Sequence, residues 1–248
     1  METTIRPARV KLTREAIQSG SIRRLIAQAD PTMELLSEAE MHASLAAMLA
    51  APEAPRETWV FAYGSLIWNP AFHFVEQRVG RVHGFHRRFC LWTHLGRGSP
   101  GTPGLMLALE PGGSCRGVAY RIAPAAVACE LEILWRREML GRAYRPRWVD
   151  VRTDAGPVRA LAFTMNRAYE RYAGRLPEDV VAATIAAAAG QLGGCAEYLY
   201  NTVAHLEALG IRDRPLTRLR DRVAQHHAAG AAAGDSRDRK TVPSRGVK

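Results

Sequence analysis

The chain has 248 residues, 47% of them hydrophobic, which is enough for one substantial core with helical attachments. Its formal net charge is +10, from 34 Lys and Arg against 24 Asp and Glu. The arginines are scattered through apolar segments instead of forming one basic block, which argues against nucleic-acid binding and suits attraction of a small anion.

Residues 1–58 read as a helical N-terminal extension. Leu12-Thr13-Arg14-Glu15 can begin a helix, and Met33 to Leu49 has helical composition after Pro31. Ala51-Pro52-Glu53-Ala54-Pro55 then breaks the pattern, so the main domain, 59–226, is expected to begin near Glu57. No apolar segment follows a basic start and no run of about 18 apolar residues occurs, so neither a leader nor a membrane-spanning helix is expected. The expected location is the cytoplasm.

Residues 59–68, Trp-Val-Phe-Ala-Tyr-Gly-Ser-Leu-Ile-Trp, form an apolar run that stops at Gly64-Ser65. Val60, Phe61 and Tyr63 favour a buried strand, and Gly64 permits a turn that side chains would forbid. Such a strand end exposes consecutive backbone N–H groups able to hold a small anion. Ser65 is a poor candidate for a hydrolase nucleophile, since nothing nearby nominates an oriented base.

Strand-like runs follow at Gln77–Val82, Arg88–Thr93, Leu105–Leu109, Gly117–Ile122, Trp148–Val151 and Arg159–Thr164. His83 and His86 lie three apart, which on a strand sends them to opposite faces, and no further metal ligands accompany them. Gly96-Arg97-Gly98-Ser99-Pro100-Gly101 matches G-x-G-x-x-G, but Pro100, Pro103 and the absence of a following helix make it a loop between strands and not a dinucleotide site.

A helix is predicted from Pro124 to about Leu140, with Pro124 in its first turn. Val127, Leu131, Leu134 and Glu138 fall at i, i+4, i+7 and i+11, placing the Glu138 carboxylate on the apolar stripe, with Arg136 and Arg137 on its flanks. There its pKa should rise toward neutrality, as proton transfer in both directions requires. Spacing alone equally allows Glu138 to be a helix-end residue paired with Arg142.

Further helices are expected at Glu178–Ala189, Ala196–Leu209 and Pro215–His226, with Tyr198 and Leu199 readable as packing residues. Residues 227–248 turn Ala/Gly-rich and then charged, and disorder is expected there. Cys90, Cys115, Cys129 and Cys195 show neither disulfide nor zinc spacing and read as reduced thiols. The order of elements implies an α+β fold, a mixed sheet or small barrel flanked by helices.

Five motifs occur in order between Trp59 and Arg222: the Tyr-Gly-Ser-Leu-Ile-Trp turn, the Gly/Pro loop, Gly-Val-Ala-Tyr-Arg at 117–121, the Arg-Arg-Glu helix end followed by Tyr144, and Glu-Tyr-Leu at 197–199. Together they resemble the ChaC-like γ-glutamylcyclotransferases, most closely their bacterial ChaC-type members. The resemblance implies that the chain degrades glutathione to 5-oxoproline and Cys-Gly by attack of the γ-glutamyl α-amine on the γ-carbonyl. It implies Glu138 as the catalytic carboxylate and Val60, Phe61, Ala62, Tyr63, Gly64, Ser65, Leu66 and Tyr198 as substrate-binding residues. It calls for no metal, cofactor or obligate protein partner. In the family's Gly/Pro loop, Pro-Gly is commonly followed by Arg, whereas Leu105 follows Pro103-Gly104 here. The readings kept open are action on other γ-glutamyl amines and a non-catalytic binding protein of the same fold.

Overall fold

A computed structural model describes residues 11–238, with side chains through Gly230. Among the described residues the N-terminal extension forms three helices, α1 (Arg14–Gln18), α2 (Ser21–Ala29) and α3 (Glu38–Leu49). The Thr13 side chain caps α1 by accepting from the Ala16 N–H. Helix α3 begins at Glu38 and not near Met33, because Ser37 and Glu40 form a capping box that fixes its start.

Five strands then close a barrel in the order β1-β3-β2-β4-β5. They are β1 (Trp59–Ala62), β2 (Glu76–Thr93), β3 (Gly104–Arg121), β4 (Tyr144–Thr153) and β5 (Gly156–Met165). Strand β1 pairs antiparallel with β3 and parallel with β5, which completes the closure. The β-rich stretches that the sequence separates at 83–87 and 110–116 are continuous in the structure. The β2–β3 ladder shifts register between His83 and Phe85, where Gly84 takes a φ of +82° and faces the positive-φ pair Gly112 and Gly113. This bulge absorbs the turn residues without ending either strand.

Helix α4 (Val127–Glu138) follows a 3₁₀ turn at Pro124–Ala126. Helices α5 (Glu178–Ala187) and α6 (Cys195–Ala208) flank a short ribbon of β6 (Ala189–Gly190) and β7 (Gly193–Gly194). The last helix, α7 (Arg214–Asp238), runs on past His226. Residues 227–238 are therefore helical where the sequence suggests disorder, since their alanines favour a helix even without an apolar face. The remainder of that tail, 239–248, lies outside the described residues, as do residues 1–10.

The two faces of β1 enter different cores. Trp59, Phe61 and Tyr63 pack with Val82, Leu109, Val149 and Val151 in a cluster made largely of strand residues. Val60 and Ala62 join Leu131, Leu134 and Trp135 of α4 and Leu199 and Val203 of α6 in the larger cluster. Burial on both sides fixes where β1 ends, and hence where the following turn begins.

Candidate functional site

The chain leaves β1 at Tyr63-Gly64 and coils at once into a 3₁₀ turn, Ser65–Ile67. Two tyrosines brace it: the Tyr63 hydroxyl donates to the Phe163 carbonyl at 2.7 Å, and the Tyr120 hydroxyl donates to the Ile67 carbonyl at 3.2 Å. Gly64 has a φ of −140°, outside the left-handed region. It is required for proximity: a Cβ at this position would lie 2.9 Å from the Tyr198 hydroxyl and 3.8 Å from the Leu107 Cβ.

Helix α4 delivers Arg137 and Glu138 to the same place. The Arg137 Nε lies 2.8 Å from the Glu138 Oε1, and the Arg137 and Glu138 side chains are 3% and 15% exposed. Arg137 also donates to the Ser65 Oγ at 3.1 Å and to the Asn69 carbonyl, so one guanidinium links the helix end to the turn. Arg142, the alternative partner for Glu138, instead pairs with Glu34 and Glu40. Burial raises the Glu138 pKa above the ordinary carboxylate value, and Arg137 opposes that rise without cancelling it.

Tyr198 reaches the turn from α6, its ring edge-on to Trp68 at 5.9 Å and to Phe89 at 6.0 Å. The Ser65 backbone N–H tempers the rise that burial imposes on the Tyr198 phenol. Burial, reinforced by the Glu138 carboxylate, holds the phenols of Tyr198 and of Tyr144, the first residue of β4, well above their ordinary pKa. Both stay neutral donors at physiological pH.

These groups stand at one end of a cleft of about 810 Å³ whose lining includes Ser65, Trp68, Asn69, Arg97, Arg137 and Tyr198. Glu138 is not itself among the lining residues and is joined to the cleft through its ion pair with Arg137. Arg97, from the Gly/Pro loop between β2 and β3, extends to the Gly194 carbonyl at 3.3 Å and to Glu197 at 3.4 Å. A second hollow, beside α7 and lined by Arg212, Arg214, Arg218 and Arg222 among others, shares no residue with the cleft.

The structure thus brings together four residues singled out in the sequence, Gly64, Ser65, Tyr198 and Glu138. Leu66 is buried against the larger core, and Tyr63 spends its hydroxyl on the Phe163 carbonyl. Val60, Phe61 and Ala62 are fully buried, and none lines the cleft; they act as the foundation of the turn and not as contacts within it. Leu105 is likewise buried in the core, so the cation this loop presents to the cleft is Arg97. His83 is exposed, and the His86 Nδ1 lies 2.9 Å from the Gly112 carbonyl; among the described residues no group of three or more His, Cys, Asp or Glu is placed to hold a metal ion.

Sequence reasoning missed Arg97 and Arg137 as site residues. Arg137 sits about 100° around the helix from Glu138, and the two meet only because α4 ends there, releasing both side chains toward one turn. The signal for Arg97 was its place in a glycine-rich loop between two strands, which says where the loop lies but not where its side chain goes.

Residues 58–226 match the family described as ChaC-like protein. The chain is 42% identical over 186 residues to the glutathione-specific γ-glutamylcyclotransferase of Escherichia coli K12, covering 75% of this chain and 80% of that protein. It is 33% identical over 161 residues to the human glutathione-specific γ-glutamylcyclotransferase 1, covering 63% and 72%. Its fold is similar to the crystal structure of a glutathione-specific γ-glutamyl cyclotransferase from yeast, with a TM-score of 0.63, 24% identity, and coverage of 68% of this chain and 96% of that one.

Proposed function

Since the chain belongs to the ChaC-like family, we propose that it is a glutathione-specific γ-glutamylcyclotransferase, a lyase that releases 5-oxoproline and Cys-Gly. The observation that carries this is the convergence of a buried carboxylate of raised pKa, Glu138, with the braced turn at Gly64-Ser65 and the Tyr198 hydroxyl at one end of a cleft. Kinship to curated relatives named for this activity supports it.

The reaction is intramolecular, so bound geometry supplies much of the rate: the site must fold the γ-glutamyl arm until its α-amine faces its own γ-carbonyl. Glu138 takes a proton from the attacking amine. A raised pKa makes it a stronger base than an exposed carboxylate and lets it return the proton to the departing cysteinyl nitrogen. The new C–N bond closes a five-membered ring, the old C–N bond breaks, and one proton has crossed between the two nitrogens.

The raised pKa of Tyr198 keeps its phenol protonated, so it is assigned to donate to the oxyanion of the tetrahedral intermediate. A well-placed donor of this kind contributes about 3 kcal/mol in comparable sites. Arg137 and the backbone N–H groups of Gly64 and Leu66 are assigned to the substrate's α-carboxylate. Residues 59–226 are the catalytic unit in this scheme, with 1–58 an extension and 227–248 a tail. The scheme invokes no protein partner. A cytoplasmic location is part of the proposal, and the four free cysteines suit a reducing compartment.

Incubating the purified protein with glutathione and following 5-oxoproline and Cys-Gly by mass spectrometry tests this directly. Equimolar formation of the two is expected. Release of free glutamate without 5-oxoproline would instead mark a hydrolase.

A further inference from the structure

One wall of the cleft is built from the N-terminal extension, which lies outside residues 58–226 matched by the family, and Asn69 ties it to the turn by donating to the Leu12 carbonyl at 2.9 Å. Leu12, Ile22, Leu25, Ile26 and Met33 make this wall apolar, and Leu192 faces the same space. Two buried ion pairs anchor it. Arg171 meets Asp30 at the end of α2 at 2.5 Å, and Arg14 of α1 forks onto Glu130 of α4 at 2.5 and 2.9 Å. Ile22 also packs against Ile133 and Leu140 in a separate core cluster. The wall is thus pinned to the barrel domain at these points.

Such a wall has little to meet on glutathione. With the γ-glutamyl group at the Ser65, Arg137 and Tyr198 end, the remainder offers one methylene and a thiol as its apolar part, followed by a charged glycine. A cleft of about 810 Å³ exceeds what that tripeptide fills, which leaves room beside the apolar wall.

We propose that the wall formed by α2, Leu12 and Met33 fits the cleft to glutathione S-conjugates, in which an alkyl or aryl group replaces the thiol hydrogen, and that the enzyme cleaves these to 5-oxoproline and the S-substituted Cys-Gly. This deepens the cyclotransferase assignment and rests on it. The bonds made and broken are those of the glutathione reaction, the sulfur is a spectator, and no oxidant or co-reactant is consumed. The substituent lies along Leu25 and Ile26, where each buried methylene strengthens binding roughly fourfold.

The test compares kcat/KM for glutathione, S-methylglutathione and S-hexylglutathione, together with their binding to the Glu138→Gln variant by calorimetry. We expect S-hexylglutathione to exceed S-methylglutathione at least tenfold in both. Leu25 is half-buried and belongs to no core cluster, so Leu25→Asp can be introduced without opening the core. It should lower the ratio of S-hexylglutathione to glutathione efficiency at least tenfold, and Leu25→Ala should lower it less. Glutathione cleaved with no gain from the hexyl chain in rate or binding overturns the proposal and leaves the cyclotransferase standing. Tighter binding of the hexyl conjugate with neither compound cleaved overturns the cyclotransferase assignment and keeps the wall as a site for apolar substituents. A ratio unaltered in Leu25→Asp shows that this wall does not contact the substituent.

Discussion

Helix α4 carries two buried carboxylates, one in each terminal turn, and they behave in opposite ways. Glu130, 4% exposed, pays the same kind of desolvation penalty as Glu138, yet its pKa is lowered. Arg14 grips both of its oxygens, and the His73 backbone N–H donates to it at 2.9 Å. Glu138 has a single cationic contact, and burial prevails. The helix adds to the contrast, since its N-terminal end favours an anion and its C-terminal end disfavours one. Proton affinity here follows the balance of donors against burial, so one helix carries both a carboxylate held ionised and one that holds its proton more tightly.

Exchanging Glu138 for Gln is expected to have the largest effect. The amide keeps the shape but not the basicity, and turnover should fall at least about 100-fold. Stability should move the other way. A carboxylate whose folded pKa is raised destabilises the fold when ionised, fully above the folded pKa and not at all below the unfolded value of about 4.3. The variant should therefore melt no lower than the parent at pH 7, with the two converging in acid. Retention of more than a tenth of the parent turnover would remove Glu138 as the obligatory base.

Arg137→Met sharpens the comparison by stripping Glu138 of its one cation. The Glu138 pKa should rise further, so the acid limb of kcat/KM against pH should move to higher pH. An unmoved limb would show that the guanidinium does not set the basicity of this group.

Glu130→Gln should have the mildest consequence for catalysis and a clear one for stability. Charge-assisted hydrogen bonds are worth roughly 1.5–3 kcal/mol each when buried, and the Gln variant weakens those from Arg14. Because the folded pKa of Glu130 is lowered, its contribution is complete above the unfolded pKa and disappears as pH falls through the folded value. Denaturant midpoints of variant and parent should differ at pH 7 and converge in acid, while turnover of glutathione changes by no more than a few-fold. A variant as stable as the parent at pH 7 would break the contrast with Glu138.

Much of this was visible in the sequence, for reasons that can be stated. The phase of Val127, Leu131, Leu134 and Glu138 places the catalytic candidate because a helix has a fixed period. The strands were recognisable as apolar runs, but the fusion of four of them into β2 and β3 was not, because turn-forming glycines can equally form a bulge. The need for glycine at position 64 was only partly legible, because its close approach depends on a residue far along the chain, here Tyr198, that local pattern cannot supply. The same limit hid Arg97 and Arg137, whose roles come from tertiary placement. Helix α2 and its apolar side chains were covered only by a general helical expectation, and nothing local to residues 21–29 announces that they face a cleft.

The parallel pairing of β1 with β5 also dictates when the site can exist during folding. Trp59 and Val60 lie beside Ala160 and Leu161, and the bond from the Tyr63 hydroxyl to the Phe163 carbonyl spans 100 residues. Closing so long a loop is entropically expensive, and non-local pairings of this kind form slowly. The ladder between β2 and β3 and the hairpin of β4 with β5 are local and can form early, whereas the turn at Gly64-Ser65 is locked only when the barrel shuts. A nascent chain that has not yet produced Phe163 therefore lacks the brace for its turn, and catalytic competence arrives with the final closure instead of accumulating strand by strand.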